Sequence, residues 1–174
     1  MSALPRLTLV LGGARSGKSR HAEELIAAAG GKPVYIATAQ ALDEEMRRRI
    51  AAHRARRDKN WTTVEAPLEL AHALGALGPG GPALVDCLTL WLSNALLAKR
   101  DLARECDALI DALEACAAPV VAVSNEAGMG VVPDTVLGRA FRDAPGILNQ
   151  RVAALADRVV LIAAGLPLVL KGDK

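Results

Sequence analysis

The segment from Gly12 to Ser19 limits the possible folds more than any other part of the sequence. It reads Gly-Gly-Ala-Arg-Ser-Gly-Lys-Ser and directly follows a short apolar run, Leu7 to Leu11. This is the G-x-x-x-x-G-K-S pattern of a phosphate-binding loop, in which glycines let backbone N–H groups converge on phosphate oxygens. Lys18 adds a compact positive charge, and Ser19 adds an oxygen for Mg²⁺. We therefore predict nucleotide phosphate binding at a strand-to-helix junction.

The residues on either side of the loop support this prediction. An apolar run precedes it, and Ala22, Leu25, Ile26 and Ala29 follow at the spacing of one buried helix face. The alternative is a glycine-rich turn that binds nothing, but the spacing and the flanks both favour phosphate binding. The loop residues predicted to contact the nucleotide are Gly12, Gly13, Ala14, Arg15, Ser16, Gly17, Lys18 and Ser19.

Composition limits the class of protein. The chain has 174 residues, of which 52% are hydrophobic and 23% charged, which is enough for one globular domain spanning residues 1–174. The longest nearly uncharged stretch, 159–170, is too short to cross a bilayer, so we expect a cytoplasmic protein without stable membrane insertion. The formal net charge of +2 argues against a general nucleic-acid binder. The three cysteines form neither a disulfide framework nor a zinc pattern.

The rest of the chain alternates between predicted strands and helices. We expect further strands at 34–37, 83–86, 120–124 and 158–163, and an antiparallel edge strand at 166–170. A short extended piece is expected at 61–65, whereas residues 139–156 carry mixed helix and loop signals. Strands that alternate with helices predict a mostly parallel α/β sheet covered on both faces.

A long helix is predicted from Asp43 to Lys59. Its acidic start and basic end suit the helix dipole. His53 lies on one stripe with Met46, Ile50 and Arg57, so it need not point to bulk water. From spacing alone, a packed histidine or a solvated basic face is the favoured interpretation. A helix that binds nucleic acid or grips nucleotide phosphates is the alternative.

Asp86 ends a predicted apolar strand. A Walker B element has the same form: it is an apolar strand that ends in a carboxylate, and this carboxylate positions Mg²⁺. Any buried strand can end in Asp, but the upstream phosphate loop favours the magnesium role. Thr38 and the loop that begins at Asn125 also follow predicted strands. They are therefore expected at the same ligand-binding rim of the sheet.

Several segments together resemble one enzyme family. They include Gly12–Glu23, Tyr35–Thr38, Asp43-x-Glu45-Met46, Arg49-Ile50-x-x-His53, Trp61, Asn125-Glu126-x-Gly128-Met129-Gly130-x-Val132-Pro133, Phe141-Arg142-Asp143 and Asn149-Gln150-Arg151. The chain thus resembles the bifunctional adenosylcobinamide kinase and adenosylcobinamide-phosphate guanylyltransferases of cobalamin synthesis. The resemblance covers nearly the whole chain.

The resemblance implies two reactions and a set of residue roles. Adenosylcobinamide is phosphorylated by ATP or GTP, and GMP from GTP is then transferred to adenosylcobinamide phosphate through a GMP-histidine intermediate. His53 matches the guanylylated histidine, and Lys18 is the second expected catalytic residue. The resemblance also implies a RecA-like P-loop fold and a homotrimer, whereas the loop and strand-end patterns predict Mg²⁺ bound by Ser19 and Asp86. Further nucleotide-binding positions implied by the match are Ala37, Thr38, Ala39, Arg54, Ala55, Arg56, Arg57, Glu65 and Asp86.

Two positions depart from the pattern of some relatives. Asp86 stands where some have Glu, and Ala39 where some have Ser. Two other functional classes remain as alternatives. A single-function P-loop small-molecule kinase would leave His53 without a covalent role, and a RecA-like nucleotide-dependent binding module would use the arginine-rich helix as its contact surface.

Overall fold

The computed structural model describes residues 4–41, 43–57, 59–130 and 132–173. Within those residues, seven strands form one sheet and six helices surround it. The strands are β1 (Leu7–Gly12), β2 (Val34–Ala37), β3 (Thr62–Glu65), β4 (Ala83–Asp86), β5 (Val120–Asn125), β6 (Arg158–Ala163) and β7 (Leu166–Lys171). The helices are α1 (Lys18–Ala29), α2 (Glu44–Arg56), α3 (Leu70–Gly75), α4 (Leu88–Leu97), α5 (Leu102–Ala115) and α6 (Val136–Leu155).

The sheet has the order β3-β2-β4-β5-β1-β6-β7. Every neighbouring pair is parallel except β6 and β7, which are antiparallel. This confirms the predicted mostly parallel α/β sheet with an antiparallel edge. The central strands are buried along almost their whole length, as is usual for parallel strands with helices on both faces.

The two faces of the sheet carry separate apolar clusters. Leu7 and Leu9 of β1 point to the face covered by α3, α4, α5 and α6, while Val10 points to the face covered by α1. This alternation follows from the two-residue period of a strand. Ala22 and Ile26 of α1 are fully buried on that second face, so the helix that follows the phosphate loop is held rigidly against the sheet.

Helix α2 is held differently. Asp43 caps its N-terminus by accepting a hydrogen bond from the Met46 N–H at 2.7 Å. Met46, Ile50 and His53 are only half-buried, and the other described side chains of the helix are exposed. The predicted extent to Lys59 is too long, because Arg57 already has an extended backbone and the helix ends at Arg56.

Helix α6 resolves the mixed signals of residues 139–156. It runs continuously from Val136 to Leu155 although Pro145 lies inside it. Proline removes one helical hydrogen bond, but Leu148 and Val152 are buried in the core and hold the helix in place. Among the described residues, no helix has the length and apolar character needed to cross a membrane.

Candidate active site

The phosphate loop lies between β1 and α1, as predicted. A Cβ atom at Gly12 would lie 2.4 Å from Ser16 Oγ and 2.8 Å from the carbonyl oxygen of Ile162, so the close approach requires glycine. Gly17 has a φ of 97°, a conformation that glycine adopts without strain. Lys18 is buried, and its Nζ donates to the carbonyl oxygen of Gly13 at 3.0 Å. The lysine is therefore folded back over its own loop.

A cavity of about 810 Å³ opens between this loop, the carboxyl ends of β2 and β4, and helix α2. Its size is that of a small-molecule site. The half-buried side chains of α2 face this cavity: Met46, Ile50 and His53 line it, and so does Arg57, the residue that follows the helix. The predicted site residues that line the cavity are Ala14, Arg15, Lys18, Ser19, Ala37, Ala39, His53, Arg54, Arg57, Glu65 and Asp86.

The remaining predicted site residues lie elsewhere. Gly12, Gly13, Ser16 and Gly17 belong to the phosphate loop but do not line the cavity. Thr38 is fully buried, and its hydroxyl donates to the Cys87 carbonyl at 2.8 Å and accepts from the Cys87 N–H at 2.7 Å. The Thr38 hydroxyl therefore makes both of these hydrogen bonds with the protein backbone. Ala55 is exposed on α2 outside the lining, and the side chain of Arg56 lies outside the described part of the chain.

Two carboxylates lie beside one ring nitrogen of His53. Its Nδ1 lies 3.5 Å from Asp86 Oδ2 and 3.6 Å from Glu23 Oε1. The His53 side chain is 28% exposed, whereas the Glu23 and Asp86 side chains are 12% and 11% exposed. The imidazole thus faces the same cavity as the phosphate loop and is not a packed core histidine.

Tyr35 joins this cluster from β2. Its hydroxyl donates to Asp86 Oδ2 at 3.1 Å, and the Arg57 guanidinium carbon lies 3.4 Å from its ring centroid. Burial, and then the negative charge of Asp86, raise the pKa of the Tyr35 hydroxyl well above its usual value. The hydroxyl therefore stays protonated and acts as a hydrogen-bond donor at neutral pH.

Cys87 also lines the cavity, next to Asp86. Burial raises the pKa of its thiol to about 12, so the thiol is protonated at neutral pH. A protonated thiol is a poor nucleophile. Of the nucleophilic groups described here, His53 is therefore better suited than Cys87 to attack phosphorus.

Glu23 and Tyr35 were not among the site residues predicted from the sequence. A signal for Glu23 was present, because Glu23 lies four residues after Ser19 and therefore on the same face of α1. Tyr35 gave a weaker signal: it shares a strand face with Ala37, two residues before the predicted rim. Their contacts with His53 and Asp86 depend on tertiary structure.

The site offers oxygen ligands suited to Mg²⁺. Ser19 and Asp86 supply a hydroxyl and a carboxylate on the cavity wall, which are the hard ligands this ion prefers. In the described ranges, no three His, Cys, Asp or Glu side chains form a cluster that could hold a metal. In general, Mg²⁺ is bound by one or two protein carboxylates together with substrate phosphates and waters.

Comparison with known proteins shows the family of this chain. The family model described as "Cobinamide kinase / cobinamide phosphate guanyltransferase" matches residues 8–170. The chain is 51% identical over 168 residues to the bifunctional adenosylcobalamin biosynthesis protein CobP of Pseudomonas aeruginosa, covering 95% of this chain and 97% of that protein. It is 42% identical over 181 residues to the bifunctional adenosylcobalamin biosynthesis protein CobU of Salmonella typhimurium, covering 95% and 99%.

Solved structures with little sequence similarity share the fold. The flagellar accessory protein FlaH of Methanocaldococcus jannaschii is 12% identical with a TM-score of 0.54, covering 98% of this chain and 80% of that chain. The RadB recombinase is 16% identical with a TM-score of 0.50, covering 92% and 76%. The fold is therefore a RecA-like P-loop α/β fold, as the resemblance in sequence implied.

Proposed function

The chain belongs to the cobinamide kinase / cobinamide phosphate guanyltransferase family, and we propose that the cavity beneath α2 serves its nucleotide chemistry. The enzyme phosphorylates adenosylcobinamide with ATP or GTP and transfers GMP from GTP to adenosylcobinamide phosphate, giving adenosylcobinamide-GDP and pyrophosphate. One observation supports the use of a single cavity: His53 and the phosphate-loop residue Lys18 both line it.

In the kinase step, the protein positions the nucleotide and stabilises charge. Backbone N–H groups of the loop and the Lys18 ammonium bind the phosphates, which lowers the cost of the charge that develops on the transferred phosphoryl group. Arg57 offers a further donor, because its Nη1 is buried without a hydrogen-bond partner among the described residues. Arg15 and Arg54 add positive charge to the cavity wall.

In the second step, His53 acts as the nucleophile toward the α-phosphorus of GTP. A neutral imidazole is nucleophilic near neutral pH, and the phosphorylated imidazolium is a good leaving group for the next transfer. Arg54 and Arg57, which line the same cavity, stabilise the negative charge that develops on the phosphoryl oxygens. We expect the adduct to form before any corrinoid binds.

Mg²⁺ would be held by Ser19 and Asp86 and would neutralise charge on the nucleotide phosphates. One domain spanning residues 1–174 would carry both activities in the cytoplasm. A homotrimer is the assembly we propose, and the exposed apolar side chains Leu166 and Leu168 on edge strand β7 support an interface between subunits. Sedimentation of the purified protein would measure the assembly.

The proposed covalent step is tested by intact-mass measurement after incubation with Mg²⁺ and GTP. We expect one added GMP per chain, located on His53 by peptide mapping, and an adduct that survives alkali better than acid. His53→Ala should lose the adduct and guanylyl transfer while retaining much of the kinase activity. His72→Ala is the matched control, because His72 is exposed on α3 and outside the cavity lining.

The same measurement separates the alternative functions. A single-function kinase would retain no GMP on the denatured protein. A RecA-like nucleotide-dependent binding module would instead show nucleotide hydrolysis that rises when DNA or RNA is added. A GMP label on His21 or His72 would contradict the role of His53 while leaving the family membership intact.

A further inference from the structure

We propose that Glu23 is a positioning residue for guanylyl transfer and that, together with Asp86, it orients His53 so that GMP is attached to Nε2. This inference rests on the proposed function, since it takes His53 to be the residue that carries GMP. It adds the identity of the reacting nitrogen and a role for a side chain on the phosphate-loop helix.

The geometry places both carboxylates on the same side of the imidazole. Glu23 Oε1 and Asp86 Oδ2 lie 3.6 Å and 3.5 Å from the same atom, His53 Nδ1. The two carboxylates come from different elements, α1 and β4, whose positions are fixed by the sheet core. The His53 ring is carried by α2, which buries no described side chain, so contacts at the ring itself matter for its orientation.

The charges decide which ring nitrogen carries the proton in the neutral imidazole. An ionised carboxylate accepts hydrogen bonds and repels the lone pair of an unprotonated nitrogen. Two carboxylates facing Nδ1 therefore favour the tautomer with the proton on Nδ1 and the lone pair on Nε2. A histidine whose Nδ1–H points to a carboxylate is also fixed in ring orientation, as in other sites where a carboxylate supports a reacting or ligating imidazole.

The transfer then needs no proton to leave the protein. The Nε2 lone pair forms a bond to the α-phosphorus of GTP, the bond from that phosphorus to the bridging oxygen breaks, and pyrophosphate leaves with the electron pair. The product is an imidazolium that keeps its Nδ1–H and faces the two negative charges. When a phosphate oxygen of adenosylcobinamide phosphate attacks, the phosphorus–Nε2 bond breaks and the electron pair returns to Nε2.

The site of attachment can be read by NMR. Protein labelled with ¹⁵N-histidine is incubated with Mg²⁺ and GTP, and correlations between ring protons and ring nitrogens identify the nitrogen that couples to ³¹P. We expect coupling at Nε2 of His53, whose signals are assigned by their loss in His53→Ala. Coupling at Nδ1 would overturn the proposal. This measurement on the unaltered protein does not depend on any Glu23 variant folding.

The role of Glu23 is tested by the rate of adduct formation in Glu23→Gln. We expect the maximal rate to fall at least about tenfold, the scale of other lost supporting contacts, while the KM for GTP changes by less than about threefold. Glu24→Gln is the matched control, because Glu24 is the next residue on α1 but pairs with Arg20 at the exposed surface. It should guanylylate at the normal rate.

The outcomes distinguish this inference from the function on which it rests. An unchanged rate in Glu23→Gln, or a loss explained entirely by a raised KM, would overturn the positioning role while the adduct on His53 still formed. Absence of any His53 adduct in the unaltered enzyme would overturn the proposed covalent mechanism as well.

Discussion

The guanidinium carbon of Arg57 lies 3.4 Å from the ring centroid of Tyr35, and the hydroxyl of the same tyrosine donates to Asp86. The Tyr35 side chain thus connects the end of helix α2 to the carboxyl end of strand β4. A cation over an aromatic face is attracted by the ring's negative electron density. Arg57 and Asp86 are thereby held on opposite parts of Tyr35, both within the cavity wall.

Tyr35 should resist ionisation until the protein unfolds. Its pKa is raised by burial and by Asp86, so the folded state keeps the proton that the unfolded chain loses near pH 10. Stability from this group is present below about pH 10 and is lost above it, by up to about 1.4 kcal/mol per pH unit. Tyr35 is the only tyrosine, so ultraviolet absorbance of tyrosinate reports it directly.

The measurement is a pH titration of that absorbance alongside far-ultraviolet circular dichroism. We expect the tyrosinate signal to appear only together with loss of secondary structure. Tyr35→Phe is the control, because it keeps the ring under Arg57 but has no group to ionise. A smooth tyrosinate titration near pH 10 in folded protein would contradict the buried hydrogen bond to Asp86.

Lys18→Ala should abolish both activities, since both need a bound triphosphate. Charged hydrogen bonds to phosphate contribute about 1.5–3 kcal/mol each to binding, and more in a transition state. Nucleotide affinity by calorimetry and the rates of both half-reactions are the measurements. Lys32→Ala removes the same charge at an exposed position outside the cavity and serves as the control. Near-normal turnover in folded Lys18→Ala would refute the phosphate-site assignment.

Asp86→Asn should preserve the fold and weaken the response to Mg²⁺. The amide oxygen can still accept the Tyr35 hydroxyl hydrogen bond, but a neutral amide is a poorer ligand for a hard cation. We expect higher Mg²⁺ concentrations to be needed for half-maximal rates in both half-reactions. Asp107→Asn, at an exposed ion pair with Arg151, is the control. Unchanged Mg²⁺ dependence and unchanged rates would assign Asp86 a structural role alone.

Thr38→Val should destabilise the protein by about 1–3 kcal/mol, because the buried Cys87 N–H would lose its hydroxyl acceptor and the Cys87 carbonyl would keep only the Trp91 N–H. Denaturant unfolding measures this change, and Thr38→Ser, which keeps the hydroxyl, should recover most of it. If Thr38→Val instead kept full stability and lost nucleotide affinity, Thr38 would be a direct ligand contact as the family resemblance implied.

Much of the fold followed from local sequence patterns. The loop from Gly12 to Ser19 is readable because its glycine positions are required by backbone geometry within a few residues. The central strands β1, β4 and β5 were predicted because buried parallel strands are short apolar runs bounded by turns. The full length of helix α6 was not predicted, since Pro145 weakens the local helical signal. Only the burial of Leu148 and Val152 in the core compensates for the helical hydrogen bond that the proline removes.

Within the site, the sequence alone placed His53 and Arg57 on one helical stripe and Asp86 at a strand end, because both inferences need only the period of a single element. Spacing could not decide whether that stripe faced a core, solvent or a cavity. The approach of Glu23 and Asp86 to His53, and of Tyr35 to Arg57, was decided by tertiary structure. These pairs come from α1, α2, β2 and β4, and no local pattern encodes the distance between side chains on separate elements until the sheet and its helices have packed.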